Sequence, residues 1–393
     1  MEHFVERYYK LNRVLLSITG LWPYQSEWSA RLIRIIHLIF LLGSAFIQIF
    51  SILVSEITME FIATTIPSIA CSLAVLPQMY IRIKHIDKLR ELLEHMWTHW
   101  TLQKTHNEFK IMHKNAEIIR LLTLYSLSCS CLCVIIANIW LYTPEILDII
   151  SPINESRQRI KLPYARFDFF IDEERYLYFL RFCIFIASFI TPMMTFVYYV
   201  MFMTFTIHIC AMCKLLGYRA EHLFCIVGNT KKRNLFHRTK IYCEKITAFV
   251  QLHNSIIQFI RMLDSCYTIS CLLDLIVSVI VTSITAFQTL TIFKIEEYFK
   301  AIALTTVLLC FLFMINYMGQ KVTNDSSNIC EKVYNSTWYD AEVSQQKLLL
   351  LIMRRRFNPL VLTAWFYVFS VPNFVMILQT VVSYCMFIRK MER

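Results

Sequence analysis

The sequence predicts an all-α membrane protein with seven transmembrane helices. Of its 393 residues, 57% are hydrophobic and 17% are charged, whereas soluble domains average about 25% charged residues. Seven apolar stretches are long enough to cross a bilayer, and basic residues concentrate in alternate connecting segments. The formal net charge of +11 comes from these segments rather than from a basic soluble domain, so no nucleic-acid partner is expected.

The apolar stretches have the length of about 20 residues that a transmembrane helix requires. They are residues 35–54, 61–81, 121–142, 179–210, 266–290, 301–318 and 365–388. A shorter apolar run, 348–353, precedes the last stretch and is separated from it by Arg354, Arg355, Arg356 and Pro359. The sequence therefore predicts a last helix that is split into a half outside the lipid and a half that spans it.

The distribution of Lys and Arg predicts a cytoplasmic N-terminus and an extracellular C-terminus. Of the 39 basic residues, 28 lie in the N-terminal segment or in connecting segments on the same side of the membrane as that segment. Another 10 lie in the segments on the opposite side. Seven spans in this orientation are the reverse of a G-protein-coupled receptor. Asn154 is the glycosylation sequon on the predicted outside, whereas Asn324 and Asn335 lie on the predicted inside and should stay unmodified.

Two of the predicted cytoplasmic segments carry apolar residues at helical spacing. In segment 82–120 these are Ile86, Leu89, Leu92, Leu93 and Met96; in segment 240–263 they are Ile246, Phe249, Val250, Leu252, Ile256, Ile257, Phe259, Ile260 and Leu263. We expect both segments to form helices that extend the spans and pack into a bundle. The alternative is that they lie flat on anionic lipid, which their basic residues would also favour.

The cysteines predict neither disulfides nor a metal site. None of the 14 falls in the external segment 143–176, and a cytosolic environment keeps thiols reduced. The group Cys129, Cys131 and Cys133 is scattered around a helix by its spacing, and Cys210 with Cys213 has no second pair nearby. No metal and no other cofactor is expected.

No motif predicts catalysis. The patterns HExxH, GxSxG, GxxxxGK[ST] and GxGxxG are absent, and the apolar spans carry few charges. The clearest charged residues within spans are Arg181 and Asp274, which we interpret as residues at a membrane boundary or as partnered interior groups. The chain is therefore not expected to be an enzyme.

The last 60 residues contain a series of short motifs in a defined order. They are Tyr334, Trp338-Tyr339, Lys347, the apolar run 348–352, Met353-Arg354-Arg355, Pro359, Leu362-Thr363-Ala364, and the helix end 382–388. With Leu162-Pro163-Tyr164 and with His253, Ile256, Phe259 and Leu263, this series resembles the insect odorant receptor family. Trp365 stands where that family usually has Gly. The glutamine-rich ending of the family's co-receptor is missing, so the chain looks like a ligand-tuning subunit.

This resemblance implies a ligand-gated, non-selective cation channel with four subunits around one pore. The chain would assemble with the shared co-receptor in the plasma membrane of olfactory neuron dendrites and bind a volatile molecule in its outer membrane half. Residues 1–34 would be the cytoplasmic N-terminus, and 35–318 would hold six spans and the ligand pocket. Residues 319–364 would form the cytoplasmic anchor between subunits, and 365–393 the pore-lining helix and extracellular end.

Candidate residues for three sites follow from these positions. An odorant pocket needs mostly apolar walls with a few hydroxyls or amides, and the candidates are Phe61, Thr64, Thr65, Ser68, Ile136, Asn138, Trp140, Ser188, Thr191, Thr305 and Leu309. The candidates for the pore are Tyr384, Phe387, Ile388, Lys390 and Met391. The candidates for the anchor are Tyr334, Trp338, Lys347, Met353, Arg354, Arg355 and Pro359.

Three alternatives remain open from the residues alone. A gustatory-type chemosensory channel would share the fold but would end with different motifs. A G-protein-coupled receptor would need an external N-terminus, and segment 358–362 lacks the Tyr that class favours after its Asn-Pro. A multi-pass membrane enzyme would need paired ionisable residues that the spans do not show.

Overall fold

The computed structural model describes residues 2–54, 59–102, 104–141, 143–150, 173–224, 235–291, 295–354 and 359–392. Nearly all of them are helical. The helices are α1 Glu2–Ile18, α2 Glu27–Val54, α3 Met59–Lys84, α4 Ile86–Thr101, α5 His106–Leu141, α6 Thr143–Ile150, α7 Glu173–Glu221, α8 Leu235–Thr291, α9 Ile295–Tyr334, α10 Val343–Met353 and α11 Val371–Glu392. A short 3-10 helix, Trp338–Asp340, precedes α10, and strands β1 Thr363–Ala364 and β2 Tyr367–Val368 precede α11.

Six of these helices have, within the described residues, the length and composition to cross a membrane. The apolar segments are Glu27–Phe50, His106–Ile136, Phe185–Glu221, Lys240–Leu290, Ala301–Tyr334 and Val371–Lys390. The predicted second span, 61–81, falls within α3, where the side chains of residues 59–65 and 68 lie outside the described residues. The structure thus confirms the all-α fold class, while seven spans and their orientation remain predictions.

The turn between α1 and α2 is a Schellman motif. The Leu21 amide donates to the Leu16 carbonyl at 2.9 Å and the Gly20 amide donates to the Ser17 carbonyl at 3.2 Å. Gly20 has φ of +68°, and a Cβ there would overlap the Ala30 carbonyl of α2. A glycine is therefore required to bring α2 back against the end of α1.

The predicted cytoplasmic helices pack into the core instead of lying on its surface. In α4, the residues Leu89, Leu92, Leu93 and Met96 are buried, and α4 is a separate helix because the chain breaks at His85 and again after Thr101. In α8, most of the predicted apolar residues of 240–263 are buried in the same cluster, Val250 packs against it, and Ile257 is buried as well. Both segments thus pack into the helical bundle, and their cytoplasmic location remains a prediction.

The prediction that one helix covers 365–388 is wrong at its start. Residues 363–368 form a two-stranded hairpin in which Thr363 pairs with Val368 and Ala364 with Tyr367, and α11 begins only at Val371. The two-residue loop places Trp365 at φ of +57°, the conformation that tight hairpin loops demand. An apolar run of this length gives no periodicity that distinguishes a hairpin followed by a helix from one long helix.

Candidate functional site

Two predicted ligand residues meet between α5 and α7. The Nδ2 of Asn138 donates to the Ser188 hydroxyl at 2.9 Å and to the Val134 carbonyl at 2.7 Å. Asn138 is buried and Ser188 is half-buried. An amide and a hydroxyl at one helix contact are the kind of polar pair that orients a mostly apolar ligand.

A second polar contact joins α8 and α9. The Thr305 hydroxyl donates to the Thr285 hydroxyl at 2.8 Å, and Thr285 in turn donates to the Val281 carbonyl at 3.0 Å. Thr285 is fully buried and was not among the residues predicted from the sequence. The predicted residues Leu309 and Ile136 are half-buried and exposed, respectively, while the side chains of Phe61, Thr64, Thr65, Ser68, Trp140 and Thr191 lie outside the described residues, as does Asn154.

A charged network is buried where α3, α7 and α8 meet. Arg82 of α3 lies 3.8 Å from the Asp274 carboxylate of α8, and the side chains are 1% and 7% exposed. Gln78 bridges them, because its Nε2 donates to Asp274 Oδ1 and its Oε1 accepts from Arg82 at 2.9 Å. The interpretation of Asp274 as a partnered interior group is confirmed.

Helix α7 completes this network. The Arg82 guanidinium lies over the Tyr198 ring at 4.3 Å from its centroid, and its Nη1 is 3.5 Å from the Thr195 hydroxyl. A buried charge is tolerated only with such partners, and removing one partner of a buried pair typically costs about 3–5 kcal/mol. The network therefore fixes the mutual positions of three helices. Asp274 and Arg82 are 192 residues apart, so the sequence gives no signal of their pairing.

Helix α11 buries a single narrow stripe. Ile377, Val381 and Cys385 follow at intervals of four residues and are buried. Ile377 and Val381 pack in one cluster with Leu312 of α9 and with partly buried residues of α8. Residues on a helix are rotated by about 100° each, so Phe387 lies about 200° from Cys385, on the opposite side. Phe387 is 59% exposed. Among the other predicted pore residues, Tyr384 and Lys390 are exposed, Ile388 is half-buried, and the Met391 side chain lies outside the described residues.

The hairpin between α10 and α11 is held by α9. The Asn316 Oδ1 accepts from the Tyr367 hydroxyl at 2.7 Å and from the Ser370 amide at 3.2 Å. Asn316 is fully buried, and burial raises the pKa of the Tyr367 phenol to about 12. One turn further on, a Cβ on Gly319 would overlap the Phe369 carbonyl. The hairpin backbone thus contacts α9 directly, and only glycine leaves room for it.

Helix α8 holds the other strand of the hairpin. The Thr363 amide donates to the Asp264 carboxylate at 3.3 Å, and the Phe369 amide closes the hairpin on the Leu362 carbonyl at 3.0 Å. We call residues 362–370 the joint. Sequence reasoning missed the residues that hold the joint, Asn316, Gly319 and Asp264. A lone amide inside an apolar span and a glycine directly after that span were the available signals for the first two.

Helix α10 is packed on one side and exposed on the other. Leu349 and Ile352 are buried, whereas Leu348, Leu350 and Leu351 are 49–63% exposed. Of the other predicted anchor residues, Trp338, Met353 and Pro359 are partly buried, Tyr334, Lys347 and Arg354 are exposed, and Arg355 lies outside the described residues. An exposed row of leucines next to exposed cations is typical of a helix that contacts another chain or lipid.

The described residues contain no group of His, Cys, Asp and Glu arranged to hold a metal ion. All of the described cysteines are free thiols. The polar groups above connect helices and do not form a nucleophile with an adjacent base. Comparison with known proteins shows which family these helices belong to.

The sequence profile of the 7tm Odorant receptor family matches residues 54–382. The chain belongs to this family and is a multi-pass membrane protein. Odorant receptor 9a of Drosophila melanogaster is 23% identical over 185 residues, which cover 47% of this chain and 44% of that protein. The odorant receptor coreceptor of Aedes aegypti is 24% identical over 161 residues, covering 40% of this chain and 33% of that one. The matched regions thus span less than half the length of these relatives.

Solved structures show the same fold over nearly the whole chain. The insect olfactory receptor OR5 from Machilis hrabei in complex with eugenol matches with a TM-score of 0.80, covering 99% of both chains at 13% identity. A second structure of the same receptor matches with a TM-score of 0.78 at 14% identity, covering 98% of both chains. At such identities the likeness establishes the architecture, and ligand and partners are argued separately below.

Proposed function

We propose that this chain is a ligand-tuning subunit of an odorant-gated, non-selective cation channel. It assembles with the odorant receptor co-receptor, as part of a tetramer, in the plasma membrane of olfactory neurons. The observation that carries the proposal is α11, which packs by one stripe and leaves Phe387 and Tyr384 exposed beyond a rigidly held joint. A helix that lines a pore needs this combination of one packed side and one free side.

A volatile ligand binds among the helices that also hold the joint. Thr285 of α8 and Thr305 of α9 bond to each other, and the same two helices supply Asp264 and Asn316 to the joint. A ligand that separates or tightens α8 and α9 therefore acts on the segment that starts α11. Such a ligand opens the pore only to the extent that it binds the open arrangement more tightly than the closed one.

The ligand is a small, mostly apolar molecule with one polar group. Asn138 and Ser188 provide an amide and a hydroxyl between α5 and α7, and one of these can exchange its bond for a ligand oxygen. OR5 of Machilis hrabei was solved with eugenol, a molecule of this general class. The exposed leucines of α10, with Arg354, form the face that contacts neighbouring subunits on the cytoplasmic side.

The proposal is tested by recording odour-evoked current in cells that express the chain with and without the co-receptor, while G-protein signalling is blocked. Current that requires both chains and persists under the block is expected. Current that disappears when G-protein signalling is blocked contradicts the channel proposal. Current of equal size without the co-receptor contradicts the assignment as a tuning subunit.

Two substitutions separate assembly from conduction. The exposed Arg354→Glu substitution should reduce co-purification with the co-receptor, because it reverses a charge on the proposed contact face. The Phe387→Ala substitution should leave co-purification intact and alter permeation or gating. If both variants only shift odorant preference, the assignment of assembly to α10 and of conduction to α11 is wrong.

A further inference from the structure

A cavity of about 670 Å³ lies between α1 and α4, away from the residues predicted to bind the odorant. Its walls come from α1, from Trp22 in the turn after α1, from α4, and from Met201 of α7. Pockets of about 300–1,000 Å³ are the size that encloses most of a small organic ligand. The cavity is therefore large enough for a ligand of its own.

The lining is aromatic inside and cationic at α1. Tyr9, Trp22, Trp97 and Trp100 line it, and Tyr9 meets Trp100 edge to face at 6.5 Å between ring centroids. The charged residues among the described lining are Lys10 and Arg13, both cations, and Arg13 lies over the Trp22 ring at 5.8 Å. Apolar walls with two cations favour an amphiphile with an anionic head.

Asn12 adds a specific polar requirement. It lines the cavity and is 97% buried, since 3% of its surface is exposed. Its Nδ2 donates to the Thr204 hydroxyl at 2.7 Å, but its Oδ1 has no hydrogen-bond partner among the described residues. A buried acceptor without a partner costs free energy, which a donor on a ligand would recover. The ligand that suits this site therefore carries a hydroxyl as well as a negative charge.

The position of the cavity favours a ligand from the membrane. Helix α2 begins at Glu27, shortly after Trp22, and its early residue Trp28 is 79% exposed. Exposed tryptophan at the start of a membrane-length apolar helix is typical of the boundary between lipid and water. An acyl chain can thus enter the aromatic interior while the head remains near Lys10.

We infer that this cavity binds a single-chain anionic lipid with a free hydroxyl, of the lysophosphatidic acid type, at a site separate from the odorant pocket. The phosphate lies against Lys10 and Arg13, the hydroxyl donates to Asn12 Oδ1, and the chain packs on Trp97 and Trp100. The inference does not depend on the proposed channel function, because it concerns binding by the chain alone.

The test uses the purified full chain in lipid nanodiscs and a lysophosphatidic acid whose acyl chain carries a photoactivatable diazirine. Crosslinks are expected on peptides of α1 or α4. Val14→Trp fills the cavity from a position that is 44% exposed, and it should lower labelling about tenfold. Ile18→Trp, on the same helix but outside the cavity lining, is the matched control and should label like the unmodified chain.

Charge is tested independently of cavity volume. Lys10→Gln should weaken labelling by the anionic probe, whereas Lys114→Gln, at an exposed position of α5, should not. A diazirine monoacylglycerol, which has the hydroxyl and chain but no phosphate, should label weakly, and inorganic phosphate should not compete.

Equal labelling by the uncharged probe, or labelling that Val14→Trp leaves unchanged, would overturn the inference. Competition by inorganic phosphate would show that the site takes a free anion and not a lipid. If Val14→Trp does not elute as a folded protein on gel filtration, the comparison of Lys10→Gln with Lys114→Gln tests the inference instead.

Discussion

Helices α7 and α11 have the same mean hydropathy in their most apolar stretches, yet they occupy opposite environments. In α7, 89% of the residues in that stretch are buried inside the chain, and in α11 17% of them are buried. Helix α7 holds the other helices together, whereas α11 uses one stripe and leaves most of its surface to lipid, to other subunits or to an aqueous pore. Hydropathy alone cannot separate these two roles, because lipid tails are as apolar as leucine side chains.

The contrast is tested most strongly by matched phenylalanine truncations. Phe205 of α7 is fully buried, so Phe205→Ala should destabilise the isolated chain by about 3–5 kcal/mol. Phe387 of α11 is 59% exposed, so Phe387→Ala should change stability by about 0.5 kcal/mol or less. Thermal unfolding of both variants in the same detergent, followed by gel filtration, gives the comparison. Similar losses at both positions would show that α11 is packed like α7.

The charged network gives the next largest effect. Asp274→Leu leaves Arg82 buried without its carboxylate and should cost about 3–5 kcal/mol. The double variant Arg82→Met with Asp274→Leu removes both charges and should recover most of that loss, since apolar replacements of buried ion pairs are often tolerated. The measurement is the melting temperature of each variant in detergent. A double variant no more stable than Asp274→Leu alone would mean that packing, and not the unpaired charge, sets the cost.

Two glycine substitutions test how closely the joint packs against α9. Gly319→Ala forces a Cβ onto the Phe369 carbonyl, and overpacking of this kind typically costs about 1–3 kcal/mol. A Cβ on Gly43 of α2 would meet no other atom within 4 Å, so Gly43→Ala should be neutral or stabilise by up to about 1 kcal/mol through helix propensity. The melting temperature of Gly319→Ala should therefore fall, whereas that of Gly43→Ala should stay the same or rise. Odour-evoked current of Gly319→Ala should fall more than its surface expression.

The smallest effect is expected at the tip of the hairpin. Trp365 has φ of +57° and a side chain that is 77% exposed, so it bears backbone strain with little compensating burial. Trp365→Gly should therefore stabilise the chain by up to about 1 kcal/mol, read as a small rise in melting temperature. A fall would show that the exposed indole makes a contact in the assembled receptor or in lipid, and repeating the measurement with the co-receptor present would distinguish the two.

Secondary-structure elements could be predicted from the sequence better than the contacts between them. Apolar length located the membrane-length helices, and helical spacing located α4 and the first part of α8, because both signals are local. The run from Trp365 to Ile388 was assigned to one helix, since an unbroken apolar run carries no mark where a hairpin ends. Asp274 was interpreted either as a boundary residue or as a partnered interior group, and the structure shows the second. Its partner, Arg82, lies on another helix that only the fold brings close.

The candidate sites show the same limit. Asn138 and Ser188 were both proposed from the sequence and are in contact, whereas Thr285, Asn316 and Gly319 were not proposed. Polar side chains inside an apolar helix signal that a partner exists but not which helix supplies it. The faces of α11 could be assigned only once Ile377 and Val381 were seen packed against α9 and α8.

The free face of α11 is the central claim, and thiol accessibility at its outer end tests it most directly. Phe387→Cys would be expressed with the co-receptor and treated with a membrane-impermeant, positively charged thiol reagent applied from outside during odour stimulation. The unmodified chain, which already carries 14 cysteines, is the control. A pore-lining position predicts that current through Phe387→Cys falls after treatment and that the control current does not. Unchanged current in a protein shown to be labelled at position 387 would contradict the account.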